Sequence, residues 1–288
     1  MQKHLRTAGG ALAAVAGLLL CLAPLPAPAA ETLAEKSLKE IVARERHVFK
    51  RAADEGEELD EAWLRGEVQS IINSYDVLIQ KSPDFAAAYV AYGLLLGKVG
   101  MTREAVGMLL KANKLDQNIP VVKNEMARHL AEDGRMTEAL PWLMAAIDLE
   151  PDEPLYHYHL GKLLVEGRDD FIHTGQFSRA SLDKAMLEAF RRAAELAPKN
   201  IPYAYRAAEA YYDLETPQWD DALKAWAALE EKVQPGVEQQ TIRLHAANIL
   251  IKQGKGELAR GMLGMVTEGV LLKQKQTLLD QLAKAGDK

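Results

Sequence analysis

The chain has 288 residues, of which 48% are apolar and 26% are charged, and its formal net charge is −6 at pH 7. The apolar content supports a sizeable core and excludes disorder as the default state of the chain. The negative charge excludes a bulk attraction to nucleic acid or anionic lipid, so we expect no nucleic-acid partner.

The first 30 residues have the composition of a secretory signal peptide. Lys3 and Arg6 precede an apolar run over residues 8–22, and a segment rich in proline and alanine ends at Ala29 and Ala30. A basic start, a short apolar run and small residues at the end are the pattern of such a signal. A retained membrane anchor is the alternative, but the run is shorter than the ~20 residues that span a bilayer. The sequence predicts an exported protein, periplasmic or secreted after cleavage near Ala29 or Ala30, with no membrane span in the mature chain.

The cysteine content agrees with this interpretation. Cys21 is the only cysteine and lies within the apolar run, directly after Leu20. Lipidation requires a small residue before the cysteine, so we expect no lipid anchor. The mature chain has no thiol and must be stabilised by packing without disulfides.

Two amphipathic stretches follow the predicted signal. Residues 37–53 and 61–81 have apolar residues at helical spacing and are joined by the acidic segment DEGEELDE. The basic run from Arg44 to Arg51 has apolar residues on another face, which favours a solvated helix surface over an anion site. We predict an N-terminal helical pair over residues 31–85 that forms a degenerate first repeat.

A fixed period follows this pair. Five residues return after a displacement of 34 positions: Ala105, Leu109, Ala112, Leu115 and Asp116 return as Ala139, Leu143, Ala146, Leu149 and Glu150. A constant period of this length predicts stacked supersecondary units, and the spacing within each unit predicts helices and not strands.

The turns within these units have their own signals. Gly100 and Gly134 lie between the two predicted helices of successive units, and Thr102 and Thr137 are the predicted N-caps of the second helices. Short residues such as Ala105 recur because two helices pack closely only where side chains are small.

These positions resemble the tetratricopeptide repeat (TPR), a helix–turn–helix unit of this length. Five copies are recognised, and they begin near Ala86, Pro120, Pro154, Pro202 and Gln240. The resemblance implies an all-α fold, a right-handed superhelix (α-solenoid) of TPR-like repeats over residues 86–269, and a C-terminal capping helix over residues 270–288.

Two of the copies are irregular. The third has 13 more residues between its helices than the pattern allows, which places an insertion near residues 165–183. The fourth has one extra residue in its turn. An inserted loop of this length is uncommon unless it is functional or disordered. The amphipathic second half of the insertion is also consistent with a longer following helix.

Few residues of the predicted mature chain have the spacing of catalytic or metal-binding groups. None of the usual metalloprotease, nucleophile-elbow or phosphate-loop patterns is present. His157 and His159, in the segment YHYH, point about 200° apart on a helix and cannot easily share a metal. We predict a non-enzymatic protein with no catalytic residue, metal or cofactor. The alternative is a small-ligand or metal-binding, possibly enzymatic, protein that uses the insertion and YHYH.

Tryptophan spacing favours packing over carbohydrate stacking. Trp142 and Trp226 fall at positions that face the core between helices. For Trp63 and Trp219 the spacing does not decide between a core and a surface position.

The resemblance also implies a binding groove. In TPR proteins, extended peptides bind the concave surface lined by the first helices, where the fifth and ninth positions of each unit point. Those positions are Val90 and Leu94, Asn124 and Arg128, Tyr158 and Lys162, and Arg206 and Ala210. The predicted partner-binding residues are Asn124, Arg128, Tyr158, Lys162, Tyr203 and Arg206.

This set predicts a basic patch on an acidic protein. It resembles the carboxylate clamp of eukaryotic co-chaperones with TPR domains, which holds a C-terminal carboxylate. Our hypothesis is a partner protein or peptide with an acidic or carboxylate-ended segment, bound by guanidinium and ammonium donors. The alternative is that these are ordinary solvated side chains. The sequence thus predicts a non-catalytic interaction scaffold or adaptor of the cell envelope. An accessory domain of a larger enzyme complex is equally compatible.

Overall fold

The computed structural model describes residues 32–286. The predicted signal segment, its cleavage site and Cys21 therefore lie outside the described residues. Within this range the chain forms 14 α-helices and no β-strand, which confirms the predicted all-α fold. None of the helices in the described part is long and apolar enough to cross a membrane.

The helices follow one another along the chain with short connections. They are α1 Leu33–Glu55, α2 Glu61–Lys81, α3 Ala86–Lys98, α4 Thr102–Leu115, α5 Pro120–Glu132, α6 Met136–Leu149, α7 Pro154–Glu166, α8 Arg168–His173, α9 Arg179–Leu196, α10 Ile201–Glu209, α11 Trp219–Glu230, α12 Val237–Lys252, α13 Gly256–Gly264 and α14 Leu272–Gly286. Residues 32–286 also contain three short 3₁₀ segments, at Gly56–Glu58, Ala210–Asp213 and Gly269–Leu271. The chain divides into two compact units, of which the first ends at His129 and the second begins at Leu130.

The first unit begins with a strongly capped helix. The Thr32 hydroxyl accepts a hydrogen bond from the Glu35 N–H at 3.2 Å, and the Glu35 carboxylate accepts one from the Thr32 N–H at 2.8 Å. This reciprocal capping box starts α1. Asp60 caps α2 by accepting from the N–H groups of Ala62 and Trp63. The N-terminal pair then packs with α3 around one core, which includes Val48, Phe49, Ile71, Tyr75 and Leu95.

One charged pair lies inside this core. The Lys98 ammonium is 4.0 Å from the carboxylate of Glu45 and 3.5 Å from the centre of the Phe49 ring. The Tyr75 hydroxyl donates to the same carboxylate at 3.2 Å. Burial raises the pKa of Glu45 and lowers the pKa of Lys98. Breaking such a pair leaves a buried charge uncompensated, so these contacts bind α1 and α3 to each other specifically.

The turns within the repeats are built on glycine. Gly100, Gly134 and Gly254 have φ values of 82°, 75° and 70°, in the left-handed region that favours glycine. In each turn the next residue donates its N–H five residues back, as Met101 does to the Leu96 carbonyl at 2.9 Å. This hydrogen bond closes the first helix of each of these repeats in the same way.

The two predicted threonine caps are wrong. Helix α4 begins at Thr102 with Met101 in the cap position, and α6 begins at Met136, before Thr137, with Arg135 in the cap position. Neither cap residue makes a side-chain capping bond. The glycine turn is so tight that the second helix starts directly after it, which leaves the threonines within the first turn.

In the second unit, the inserted segment is ordered into helix. It forms α8, whose Phe171 is fully buried and lies 5.8 Å from the ring of Phe177. Ser178 then caps α9, which has 18 residues, whereas α4 and α6 have 14 each. The second half of the insertion therefore extends the following helix.

The C-terminal end of the second unit is closed by α14. The Gln240 side chain, which is 9% exposed, accepts from the N–H groups of Thr267 and Glu268 at 2.6 and 2.8 Å. These bonds hold the segment before α14 against α12. Leu282 of α14 then packs with Leu250 and Ala259 of the last repeat.

The tryptophans differ in burial. Trp226 is fully buried, as its spacing predicts. Trp142 is only partly buried, so its assignment to the core is wrong. Trp219 lies beside Tyr212 at 5.9 Å, and Trp63 lies 3.9 Å under the guanidinium of Arg51.

Candidate partner-binding surface

A pair of tyrosines from two first helices forms the centre of the candidate surface. The rings of Tyr158 on α7 and Tyr203 on α10 lie 4.9 Å apart and are tilted by 33°. Phe190 of α9 is fully buried and meets Tyr158 edge-on at 5.8 Å. A Cβ atom on Gly161 would lie 2.6 Å from the Phe190 ring, so only glycine lets α7 approach it. Close packing thus fixes the position of the tyrosine pair.

The hydroxyls of this pair are available to a partner. Neither Tyr158 nor Tyr203 makes a hydroxyl hydrogen bond to another residue of the described chain, and both side chains are partly exposed. Burial raises the pKa of Tyr203, and the nearby charge of Glu153 adds to this effect. The phenol therefore stays protonated near neutral pH and can donate a hydrogen bond.

Two cations flank the tyrosines, and they differ in availability. The Arg206 guanidinium lies 4.3 Å over the Phe190 ring and donates to the Asp213 carboxylate at 2.8 Å, and its side chain is 18% exposed. Lys162 is 47% exposed and is 3.6 Å from Glu166, a weak surface pair. Lys162 is therefore the more accessible positive charge.

The other two predicted residues lie in the first unit. Asn124 is 1% exposed, and its amide donates to Glu125 at 3.2 Å. The prediction that this side chain faces a partner in the groove is therefore wrong. Arg128 donates to the same Glu125 carboxylate at 2.9 Å and is one third exposed. One guanidinium nitrogen of Arg128 also lies 3.2 Å from the His129 ring.

Two further positions implied by the repeat pattern are also buried. Val90 is 1% exposed, and Ala210 is fully buried and belongs to a 3₁₀ turn rather than to α10. Helix α10 ends at Glu209, so the ninth position of this repeat lies outside its first helix.

The insertion contacts the irregular turn of the next repeat. Arg168 and Arg179 both donate to the backbone carbonyl of Asp213, at 3.1 and 2.7 Å. Arg179 also pairs with Asp183 at 2.8 Å, and the other oxygen of Asp183 accepts from the Glu215 N–H at 2.8 Å. Since Asp213 in turn holds Arg206, the insertion helps to position a residue of the candidate surface.

Sequence reasoning missed this cluster, although a signal was available. The insertion and the longer turn are the two irregular segments of the array. One contributes Arg168 and Arg179, and the other contributes Asp213. Both arginines donate to the backbone carbonyl of Asp213, so the available signal is the irregularity of the two segments and not their charges.

The histidines of YHYH have structural partners. His157 donates from Nε2 to the Pro151 carbonyl at 2.7 Å, and the ring of His159 lies 6.2 Å from that of Tyr158. Among the side chains of residues 32–286, no group of three or more histidines, cysteines and carboxylates is arranged to hold a metal ion.

Comparison with known proteins identifies the fold. No family model matches the sequence, and no curated protein matches it. Several solved structures do match. YrrB, described as a TPR protein with an unusual peptide-binding site, is 18% identical with a TM-score of 0.55, over 74% of this chain and 98% of YrrB.

Two further matches cover more of the chain. PilW, described as a widely conserved type IV pilus biogenesis factor, is 13% identical with a TM-score of 0.54, over 87% of this chain and 100% of PilW. PilF of Pseudomonas aeruginosa is 15% identical with a TM-score of 0.52, over 85% of this chain and 99% of PilF. The chain has the fold of TPR proteins, which confirms the resemblance found in the sequence.

Proposed function

We propose that this protein is a non-catalytic interaction scaffold that binds a partner protein through Tyr158, Lys162, Tyr203 and Arg206, which we call the tyrosine surface. The observation that supports it is the Tyr158–Tyr203 pair, with rings 4.9 Å apart and hydroxyls that make no hydrogen bond within the described residues. Rigid aromatic side chains with a free polar end are typical of residues that dominate binding energy.

The charge of this surface favours an acidic or carboxylate-ended segment. Lys162 offers three exposed donors, and the two phenols add neutral donors beside it. Arg206 is already paired with Asp213, so a ligand carboxylate has to compete with an internal one for that guanidinium. Asn124 is buried and Arg128 is paired with Glu125, so the proposal rests on the second unit alone.

We place this scaffold in the cell envelope. The support is the predicted signal segment over residues 1–30, together with the fold. YrrB has a peptide-binding site and PilW acts in type IV pilus biogenesis, so both uses are compatible with this architecture.

The test begins with capture of partners from an envelope fraction on immobilised protein. Synthetic peptides from each captured partner are then compared as free C-terminal carboxylates and as carboxamides, by fluorescence polarisation. The variant Tyr158→Ala/Lys162→Ala should weaken binding about 10-fold or more, because a hydrogen bond to a charged group contributes ~1.5–3 kcal/mol.

The matched control is Lys184→Ala, an exposed lysine on α9 outside the tyrosine surface. It should bind as the unaltered protein does, and all three proteins should show the same thermal transition. Equal affinity of the double variant and the unaltered protein for every captured partner would refute the proposal.

A further inference from the structure

A concave feature lies beside the tyrosine surface in the second unit. It is a cleft of about 260 Å³ between α9, α10 and α11. Half of its lining residues are alanines, namely Ala194, Ala204, Ala207, Ala208, Ala225 and Ala228. We call it the alanine cleft.

The spacing of the alanines along α10 explains why this space is open. Ala204, Ala207 and Ala208 occupy one face of α10, at intervals of three and four residues. Ala208 is fully buried and Ala207 is 8% exposed, so these two form the floor. Methyl groups on the floor and walls leave room that larger side chains would fill.

A polar group also lines the cleft. Tyr211 lines the cleft and is only 8% exposed, yet its hydroxyl makes no hydrogen bond to any residue in the described part of the chain. Burial raises the pKa of this phenol, while the positive charge of Arg191 opposes the rise. The hydroxyl is open to solvent, so this neutral donor is accessible to a ligand carboxylate.

The rim of the cleft is positively charged. Arg191 of α9 and Lys232, which follows α11, both line the cleft together with Glu195. Arg191 is 3.8 Å from Glu195 in an exposed pair, which compensates these two charges. Lys232 is exposed and has no ion pair among the described residues. A carboxylate at the rim therefore complements the remaining charge.

The size of the cleft restricts the occupant. Sites for drug-sized ligands enclose roughly 300–1,000 Å³. The alanine cleft is smaller than this range and suits one large side chain. Single apolar anchors of this kind, set in a pocket with a polar rim, are typical of protein–protein interfaces.

We propose that the alanine cleft docks one bulky apolar side chain of a partner protein, with an adjacent carboxylate of that partner bound by Lys232 and the Tyr211 hydroxyl. This site is separate from the tyrosine surface, because none of the four residues of that surface lines the cleft. A scaffold with both sites holds two partners at once.

The experiment uses NMR of the full chain with ¹³C-labelled alanine methyl groups, since the lining is itself alanine. The probe is an acetylated and amidated tripeptide of glutamate, tryptophan and glutamate at millimolar concentration. We expect saturable shifts of the Ala204 and Ala207 methyl signals. A lysine–tryptophan–lysine peptide should bind at least 5-fold more weakly, and a glutamate–alanine–glutamate peptide should give no shifts.

Two variants and one control complete the design. Ala194→Leu should fill the cleft and abolish the shifts. Lys232→Glu changes an exposed side chain, so it should weaken binding of the acidic peptide without disturbing the core. Ala227→Leu, on the exposed side of α11, should leave binding unchanged. Tyr158→Ala/Lys162→Ala should also leave it unchanged, which separates this site from the proposed function.

Four outcomes would overturn the proposal. These are an absence of shifts at Ala204 and Ala207, equal binding of the acidic and basic peptides, tighter binding of free 3-phenylpropionate than of the peptide, and self-association that Ala194→Leu abolishes. The third would assign the cleft to a small molecule, and the fourth would assign it to a second copy of this chain.

Discussion

At the residue scale, the ring of His245 on α12 is enclosed by three aromatic side chains. It stacks on Trp226 at 4.2 Å with an angle of 2° between the rings. The Tyr205 hydroxyl is 2.6 Å from Nε2, and the Tyr212 hydroxyl is 3.4 Å from Nδ1. Burial lowers the pKa of His245, and it raises the pKa of Tyr212 to about 12. The imidazole is therefore neutral in the folded protein at neutral pH.

This environment predicts a loss of stability on the acidic side. The pKa of His245 is lower in the folded protein than in the unfolded chain, where it is about 6.5. As the pH falls below that value, the unfolded chain binds a proton that the folded protein does not, so the free energy of unfolding decreases. Urea unfolding followed by tryptophan fluorescence should show a lower midpoint at pH 5.5 than at pH 8.

The controls separate His245 from the other titrating groups. His245→Gln should reduce the difference between the two midpoints, although it also lowers stability at both pH values. His173→Gln, at an exposed position, should leave the difference unchanged. If His245→Gln has the same pH dependence as the unaltered protein, the assignment to this ring is wrong.

At the element scale, the insertion acts as a brace for the 3₁₀ turn of the next repeat. Arg179 makes two of the bonds, to the Asp213 carbonyl at 2.7 Å and to Asp183 at 2.8 Å. Its removal leaves Asp183, a buried carboxylate, without its cationic partner. Leaving a buried group unsatisfied costs ~1–3 kcal/mol, and more for a charged group.

Arg179→Ala should therefore lower the free energy of unfolding by about 1–3 kcal/mol. Hydrogen exchange of the Glu215 N–H, which donates to Asp183, should accelerate more than exchange in α14. Arg260→Ala, at an exposed residue with a 3.5 Å surface pair, should change neither quantity. Unchanged exchange at Glu215 would show that the turn is stable without the insertion.

At the scale of the whole molecule, the last repeat needs a cover. A repeat buries its apolar face only by stacking on a neighbour, and a terminal unit requires a cap with a polar outer face. Helix α14 has this role, because Leu278, Leu279 and Leu282 pack on the last repeat.

Deletion of residues 272–288 should therefore destabilise the second unit. Each leucine that is buried contributes ~1.5–3 kcal/mol, so the loss should be about 3 kcal/mol or more. The measurement is urea unfolding followed by tryptophan fluorescence, and the control is deletion of residues 287–288 only. An unchanged midpoint would mean that the last repeat is stable without α14.

Much of the fold was predictable from local signals. The 34-residue displacement that relates Ala105 to Ala139 reflects one packing requirement repeated in each unit, and the glycines at 100 and 134 mark the turns. Tyr158 and Tyr203 were also predicted as part of a surface, from the groove that the resemblance to TPR proteins implies. Thr102 and Thr137 were assigned wrongly as caps, since a local rule for N-caps takes no account of a turn that feeds directly into the second helix.

The sequence by itself determined the helical class and the period, since both depend on spacing along the chain, whereas the residues proposed for the surface followed from the resemblance to TPR proteins. Only the tertiary structure decided which of those residues are available. It buries Asn124, pairs Arg206 with Asp213, and leaves a cleft beside Tyr211. Burial and ion pairing join residues from separate helices, and an irregular insertion or an extra turn residue changes those contacts without changing the helical pattern.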